Sequence, residues 1–347
     1  MTRTLVLLIA CVIPSIQSWH GTEAFGESWS IALHGGAGSL PKDMPAERRT
    51  EYQEALESCL AVGVTVLERG GSALDAVEQT VMALEDCPLF NAGRGAVFDE
   101  TGGHALDASI MDGSTMACGG VTGVKALRNP IQGARAVMEH TRYVLLSGRQ
   151  AEQIAARHGA TLASPNYFST RGRFGVLREV MEESGRTPPA TPLYGWPVGE
   201  SGDADASLEQ GKPGETVGCV ARDSNGRLAA ATSTGGLSGK PISRIGDSPI
   251  IGAGTYANRF VAASGTGSGE EYIRNAVAAR VAILVEHRVL SLDKACEHVL
   301  GSVLKPGDGG LIAISQDGAI SMRANTGSMP SAAADADGRR EIKLFYD

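Results

Sequence analysis

An interruption constrains this chain more than any other feature. Residues 185–215, GRTPPATPLYGWPVGESGDADASLEQGKPGE, are rich in proline, glycine, serine and acidic side chains and show no sustained hydrophobic period. The sequence on both sides is strongly patterned. A stretch of roughly thirty such residues inside a compact domain is uncommon, and it is ordinarily functional or disordered. It reads as a mobile linker. At Thr216 the pattern resumes at once: Thr216 to Arg222 and Leu228 to Thr232 read as short strands joined through Asn225-Gly226, a strong hairpin signal. A two-residue turn there sets Thr216 across from Gly235 and beside Thr234. Two threonine hydroxyls and a Gly-Gly step then meet at the strand end where the linker arrives. Threonines are common in strands for packing reasons alone, so this meeting gains meaning only from its neighbours.

The flanking pattern defines the fold class. Ser30 to His34 reads as a strand entering the glycine loop His34 to Ser39. Tyr52, Leu56, Cys59 and Leu60 share one face of a long helix that closes at Gly70-Gly71. Ser72 caps a second helix through Asp75, with Leu74, Val77, Val81 and Leu84 recurring three or four apart. Strands follow near 105–111 and 119–125, then helices near 130–140, 148–158 and 170–184. Past the hairpin, Glu270 to Glu286 reads as one helix and Leu292 to Leu300 as another. Leu311 to Ser315 and Ala319 to Arg323 pair around Asp317-Gly318, and Glu341 to Tyr346 forms a last strand. Strands come in blocks, and so do helices. That predicts an α+β architecture of sheets covered by helices, not a doubly wound parallel sheet.

Composition narrows the function. With 347 residues the chain can bury a sizeable core, and its net charge of −8 offers no basic footprint for nucleic acid. A small-molecule substrate fits better. The 45 glycines cluster in short motifs without a fixed period, which excludes collagen-like repeats and points to tight turns and close backbone approaches. Six cysteines are scattered without a CxxC or Cys/His cluster, so neither a zinc nor a redox motif is suggested. Residues 1–28 read as a leader: Arg3, an apolar run from Leu5 to Ile13, then Pro14, Ser15 and Ser18 as a cleavage region. Such a signal implies export to a periplasm or the exterior; without it the cytoplasm is expected.

The neighbours of Thr216 decide the reading. Thr216-Val217-Gly218-Cys219, Thr232-Ser233-Thr234-Gly235-Gly236 and Arg244-Ile245-Gly246-Asp247-Ser248-Pro249 resemble the plant-type asparaginase/isoaspartyl peptidase family of N-terminal-nucleophile hydrolases. So do His34-Gly35-Gly36-Ala37-Gly38, Pro88-Leu89-Phe90-Asn91-Ala92-Gly93, Leu106-Asp107-Ala108, Met111-Asp112-Gly113 and Gly265-Thr266-Gly267-Ser268-Gly269-Glu270, all in family order. The resemblance implies an αββα sandwich and self-cleavage between Glu215 and Thr216. An α subunit (29–215) and a β subunit (216–347) would then stay together in one domain, as a dimer of αβ heterodimers. It implies Thr216 as nucleophile, Thr234 as its hydrogen-bond partner, and Thr266 with Gly267 as the oxyanion hole. Arg244 and Asp247 would hold the α-carboxylate and α-ammonium of the substrate, with Gly267, Gly269, Asn91 and Gly236 shaping the site.

No cofactor is implied for catalysis. A structural sodium ion is, held by the carbonyls of Leu84, Glu85, Cys87, Phe90, Ala92 and Arg94. The expected substrates are L-asparagine and β-aspartyl dipeptides. Glycosylasparaginase is the alternative, but its relatives resemble Thr-Asn-Gly and Thr-Gly-Asn-Gly-Asp where this chain has Thr234-Gly235-Gly236 and Thr266 to Glu270. Three departures stand out: Glu215 where many relatives carry glycine, a tail, Asn325 to Ser331, without the arginine that often follows Gly-Met, and a leader, which is uncommon among the isoaspartyl peptidases.

Overall fold

Two segments that the interruption separates in sequence lie side by side in space. In the computed structural model, which describes residues 28–38, 40–197 and 216–346, β1 (Ser30–His34) pairs antiparallel with β5 (Val217–Arg222), His34 opposite Gly218. Together they form the centre of an eight-stranded sheet. Its order is β12 (Arg340–Phe345), β11 (Ser328–Asp335), β1, β5, β6 (Leu228–Thr234), β2 (Leu106–Asp112), β3 (Cys118–Val124) and β4 (Leu145–Ser147). A four-stranded sheet faces it, in the order β10 (Ile320–Ala324), β9 (Gly309–Ser315), β8 (Val261–Gly267) and β7 (Thr255–Ala257). Strands from both sides of position 215 interleave in the large sheet, through the pairings of β1 with β5 and β11 and of β2 with β6.

Helices α1 (Ala46–Glu68), α2 (Ala73–Asp86), α3 (Pro130–His140) and α4 (Gly148–Arg157) cover the outer face of the large sheet. On the small sheet lie α7 (Val277–Glu286) and α8 (Leu292–His298). The residue pattern predicts sheets covered by helices and the resemblance an αββα sandwich; the structure has that architecture, and three apolar layers hold it. Leu56, Leu60, Val77 and Leu84 meet Ile31, Leu33 and Ile110 on one side, and Val281 and Cys296 meet Val261 and Leu311 on the other. Between the sheets the side chains are smaller: Ala32, Val220, Ala230, Ala262 and Ile312. Along β1 the alternation is clean, Ile31 and Leu33 toward helices and Ala32 toward the opposing sheet. Ser72 caps α2 as expected, its hydroxyl accepting from Asp75 N at 3.0 Å.

A hydrogen-bonded seam also runs between the sheets. His34 Nε2 meets Ser264 Oγ at 3.0 Å, Ser264 Oγ meets Thr232 Oγ1 at 2.7 Å, and Thr255 Oγ1 lies 2.6 Å from Thr232 Oγ1 and 2.8 Å from Ser109 Oγ. Ser109 donates in turn to the Ser248 carbonyl at 2.6 Å. Every one of these side chains is buried. Gly218 leaves room for the seam: a Cβ there would stand 2.0 Å from Ser264 Oγ and 2.5 Å from His34 Nε2.

The structure departs from the residue pattern in several places, among them the strands β4, β7 and β8, which that pattern does not announce. The hairpin after β5 has a three-residue loop, 224–226, with Gly226 at φ 74° and Asp223 Oδ1 accepting from the amides of Asn225 and Arg227. This shifts the register by one, so Val217 opposes Ser233 and Thr216 lies across from Thr234, not Gly235. The expected single helix over 270–286 breaks at Ala276, which sits at φ 47° between α6 (Gly269–Asn275) and α7. The break lets the first amides of α7, at Ala278 and Ala279, donate to the carbonyls of Ala253 and Gly252.

β11 went unread because SMPSAAAD has small residues and a proline in place of apolar alternation. Pro330 lies where the register shifts between Ser328 and Ser331, and its carbonyl accepts from Gly35 N at 2.7 Å. The first part of the expected linker, 185–197, is anchored. Leu193 N donates to Gly102 O, Arg186 to Gly239 O, and the Trp196 ring packs edge-on against Phe174 on α5 (Arg171–Glu183). The leader expectation for 1–27, the linker beyond 197 and Glu215 fall outside the described residues. Among those residues no helix is long and apolar enough to cross a membrane.

Because Gly218 faces a filled seam, Gly218→Ala is expected to lower the unfolding free energy by about 2 kcal/mol, the usual scale for overpacking. Chemical denaturation checks this, and an unchanged midpoint would contradict the packing described.

Candidate active site

The shifted hairpin register is what joins the two threonines. Thr216, just before β5, is 7% exposed, and its hydroxyl donates to Thr234 Oγ1 at 3.1 Å. Thr234 Oγ1 also accepts from Gly236 N at 2.9 Å. Asn91 pins this turn with three bonds. Its Nδ2 donates to Gly236 O at 2.7 Å, its backbone carbonyl accepts from Gly235 N, and its Oδ1 accepts from Val97 N. Gly235 is required here, since a Cβ would stand 2.4 Å from Asn91 Oδ1.

Thr216 and Thr234 open onto a cleft of about 230 Å³, counting its solvent-open part, that is also lined by Gly236, Arg244, Gly246, Asp247, Ser248 and Gly267. β8 contributes Gly267 from the opposing sheet, with Thr266 buried beside it. The Thr266 hydroxyl accepts from Ala37 N, in the glycine loop after β1, at 3.2 Å, which leaves its proton free to donate. Gly267 adopts φ 145°, and a Cβ there would fall 2.0 Å from Asp308 O. Gly269 lies against both charged groups: its Cβ would stand 2.9 Å from Arg244 Nη2 and from Asp247 Oδ1.

The charges differ in state. Asp247 is buried, and burial pushes its carboxyl up to about 7 despite the pull of Arg244. Its Oδ2 has no partner among the described residues. The guanidinium of Arg244 binds Glu270 through Nε and Nη2, each at 3.0 Å, while Nη1 is unpaired among the described residues. A half-buried cation and a buried, under-satisfied acid therefore share one cleft with the Thr216 hydroxyl. Such an arrangement complements a small zwitterion.

Sequence reasoning missed several supporting groups. Lys240 is 3% exposed, donates to Ala105 O at 2.8 Å and lies 3.7 Å from Asp107 Oδ2, directly beneath Gly236. Burial lowers its pKa while Asp107 opposes the shift. His34 is fully buried, and burial lowers its pKa to about 3, so it is neutral. Neither residue has a spacing that announces its place; the seam residues Ser109, Thr232, Thr255 and Ser264 read as ordinary strand polar groups.

The loop 84–94 folds back over the C-terminus of α2. Gly93 makes this close, for a Cβ would lie 2.4 Å from Glu85 O; at Gly95 a Cβ would meet the carbonyls of Phe90 and Pro88 at 2.2 and 2.5 Å. Carbonyl oxygens crowded at the negative end of a helix suit a hard cation. The Glu85 side chain turns away, accepting from Ser233 Oγ at 2.6 Å and Ile131 N at 3.0 Å, and burial pushes its carboxyl up to about 8. Among the described residues no three His, Cys, Asp or Glu side chains stand together as metal ligands.

Comparison with known proteins settles the affiliation. The profile of the asparaginase family matches residues 27–344. The chain belongs to the asparaginase family. It is 45% identical over 303 residues to the isoaspartyl peptidase of Escherichia coli K12, covering 86% of this chain and 90% of the relative. To the isoaspartyl peptidase of Salmonella typhimurium LT2 it is 44% identical over 305 residues, covering 86% and 93%. To the human isoaspartyl peptidase/L-asparaginase it is 36% identical over 321 residues, covering 91% and 96%. Asparaginase-family enzymes are threonine-nucleophile hydrolases that act on small molecules without a catalytic cofactor.

In this asparaginase-family site, Asp247 sets a pH signature. Its folded pKa of about 7 lies above the ordinary 3.8, so the folded chain holds a proton that the unfolded chain releases. The contribution of this group to stability is then greatest below about 4 and is lost as pH rises through 7. Asp247→Asn removes this penalty. It is expected to be more stable than wild type at pH 8 by about 2–4 kcal/mol, with the difference shrinking toward pH 4. Denaturant unfolding at the two pH values tests this; no gain at pH 8 would mean that the carboxylate is well solvated.

Proposed function

We propose that this protein is a self-processing amidohydrolase that releases L-aspartate from L-asparagine and from β-aspartyl dipeptides. The observation that supports this reading best is the Thr216 hydroxyl. It starts a strand, donates to Thr234 and opens onto a cleft that also holds Arg244 and Asp247.

In maturation, Thr216 Oγ attacks the Glu215 carbonyl carbon and the C–N bond breaks. The resulting ester on Oγ is hydrolysed by water, leaving a carboxylate at Glu215 and a free amine at Thr216. Fragments 29–215 and 216–347 remain joined through the interleaved sheet. The freed α-amine, with an ordinary pKa near ~8, serves as general base for its own hydroxyl, so no histidine is required.

Turnover follows the same chemistry on the substrate. The α-carboxylate docks on the open edge of Arg244, and the α-ammonium on Asp247 in its anionic form. Thr216 Oγ then attacks the side-chain amide carbon, and the new oxyanion takes the Thr266 hydroxyl proton and the Gly267 N–H as hydrogen-bond donors, each worth roughly 3 kcal/mol in such sites. Ammonia or an amino acid leaves, and water releases L-aspartate from the ester. Asn91 and Gly236 keep Thr234 aimed at the nucleophile, and Gly269 keeps space for the substrate beside Arg244. Catalysis needs no cofactor. The 84–94 loop holds a structural sodium ion through the carbonyls of Leu84, Glu85, Cys87, Phe90, Ala92 and Arg94, the mature enzyme is a dimer of αβ heterodimers, and residues 1–28 direct export.

Steady-state kinetics on L-Asn, β-Asp-Leu and GlcNAc-Asn test the substrate assignment. L-Asn and β-Asp-Leu should both be cleaved, and GlcNAc-Asn at least about tenfold less efficiently, which is only ~1.4 kcal/mol in transition-state binding. An equal or higher kcat/KM on GlcNAc-Asn would make the protein a glycosylasparaginase.

A further inference from the structure

Beside the cleft stands a carboxylate that the reaction as described does not use. Glu270, at the start of α6, accepts two hydrogen bonds from Arg244, Nε to Oε1 and Nη2 to Oε2, each 3.0 Å. The Arg244 side chain is 14% exposed and that of Glu270 49%. A guanidinium offers two forked edges, Nε with Nη2 and Nη1 with Nη2. Glu270 fills the first, so only the second is left for a ligand. That second edge borders the cleft: a Cβ on Gly246, a cleft residue, would stand 2.9 Å from Nη1, and a Cβ on Gly269 would stand 2.9 Å from Nη2. Nη1 is unpaired among the described residues.

Asp247 sharpens the argument. The point where Gly269 would carry a Cβ lies equally close to Arg244 Nη2 and Asp247 Oδ1, so the cation and the buried acid are near neighbours. Left alone, Arg244 would gain by turning onto Asp247, and the two groups that a zwitterion needs would satisfy each other. Glu270 competes for the same guanidinium from the outside and holds it at its inner edge.

We propose that Glu270 is a positioning residue that fixes the Nη1/Nη2 edge of Arg244 toward the cleft, keeps Arg244 and Asp247 apart, and so sets the preference for substrates with a free α-carboxylate. This rests on the zwitterion-binding reading of the cleft. It concerns ground-state docking, so the effect belongs in KM and in product affinity, not in the chemical step or in self-cleavage, where the scissile bond has no α-carboxylate to dock.

The test uses mature wild type, Glu270→Ala and Glu270→Gln with L-Asn and with 3-aminopropanamide, which lacks only the α-carboxylate. Immobilising a side chain of this kind is worth about a tenfold change in affinity. KM for L-Asn is expected to rise about tenfold in Glu270→Ala and less in Glu270→Gln, which keeps one acceptor, with kcat within about twofold of wild type. The kcat/KM for 3-aminopropanamide and the extent of cleavage at 215–216 should not change. An unchanged KM for L-Asn, or an equal loss on both substrates, overturns the assignment. Calorimetric binding of L-aspartate separates this proposal from the broader one. If wild type hydrolyses neither L-Asn nor β-Asp-Leu, the functional reading fails. Weaker L-aspartate binding by Glu270→Ala still supports the role of Glu270, and unchanged binding ends it.

Discussion

Contact between the two sheets at Gly218 governs the rest of this structure. Thr216 is tied to Thr234 through its hydroxyl, and the strand that follows it is fixed by what presses on its second residue, Gly218. Ser264 Oγ and His34 Nε2 occupy the space where any other residue would carry a side chain. Burial keeps His34 neutral, so the seam from His34 through Ser264, Thr232, Thr255 and Ser109 to the Ser248 carbonyl is a chain of uncharged hydrogen bonds. A hydrogen-bonded polar seam adds geometric specificity that an apolar layer of alanines could not supply. Its two ends lie beside Thr216, through β1 and β5, and at Ser248 in the cleft wall, so it sets the spacing between Thr216 and the far wall of the cleft.

The cleft itself is held at a cost in stability. Asp247 is buried with an unpartnered oxygen and a carboxyl near 7, and Lys240 is buried under Gly236 with Asp107 3.7 Å away. Charges of this kind weaken a fold unless something compensates. A zwitterionic ligand would compensate Asp247 directly, while Lys240 and Asp107 compensate each other below the turn that Asn91 pins. The enzyme thus keeps its unsatisfied charge where a substrate would satisfy it, the pattern expected when binding groups are preorganised in advance.

Much of this was legible in the residues, and the limits have physical causes. The blocks of strands and helices gave the layered architecture, since side-chain period reports burial directly. The hairpin was evident from Asn225-Gly226, but its register was not. Asp223 hydrogen-bonds to two loop amides and lengthens the turn by one residue, which moved Thr216 from Gly235 to Thr234. β11 was hidden because its residues are small and interrupted by Pro330. Ala276 gave no hint of a helix break, because the cause lies in distant carbonyls of Gly252 and Ala253. The residues brought together at the cleft came from motif resemblance; His34 and Glu270 lie in the same motifs, but their partners, like those of Lys240, are set by tertiary contacts that no local spacing encodes.

The central claim is that position 216 is both the cut site and the nucleophile. Intact-mass measurement of purified wild type and Thr216→Ala tests it most directly. Wild type should give two fragments, one beginning at Thr216, and Thr216→Ala a single uncut chain without amidase activity. A wild-type cut at another bond, or a Thr216→Ala chain that still divides between 215 and 216, would contradict the account.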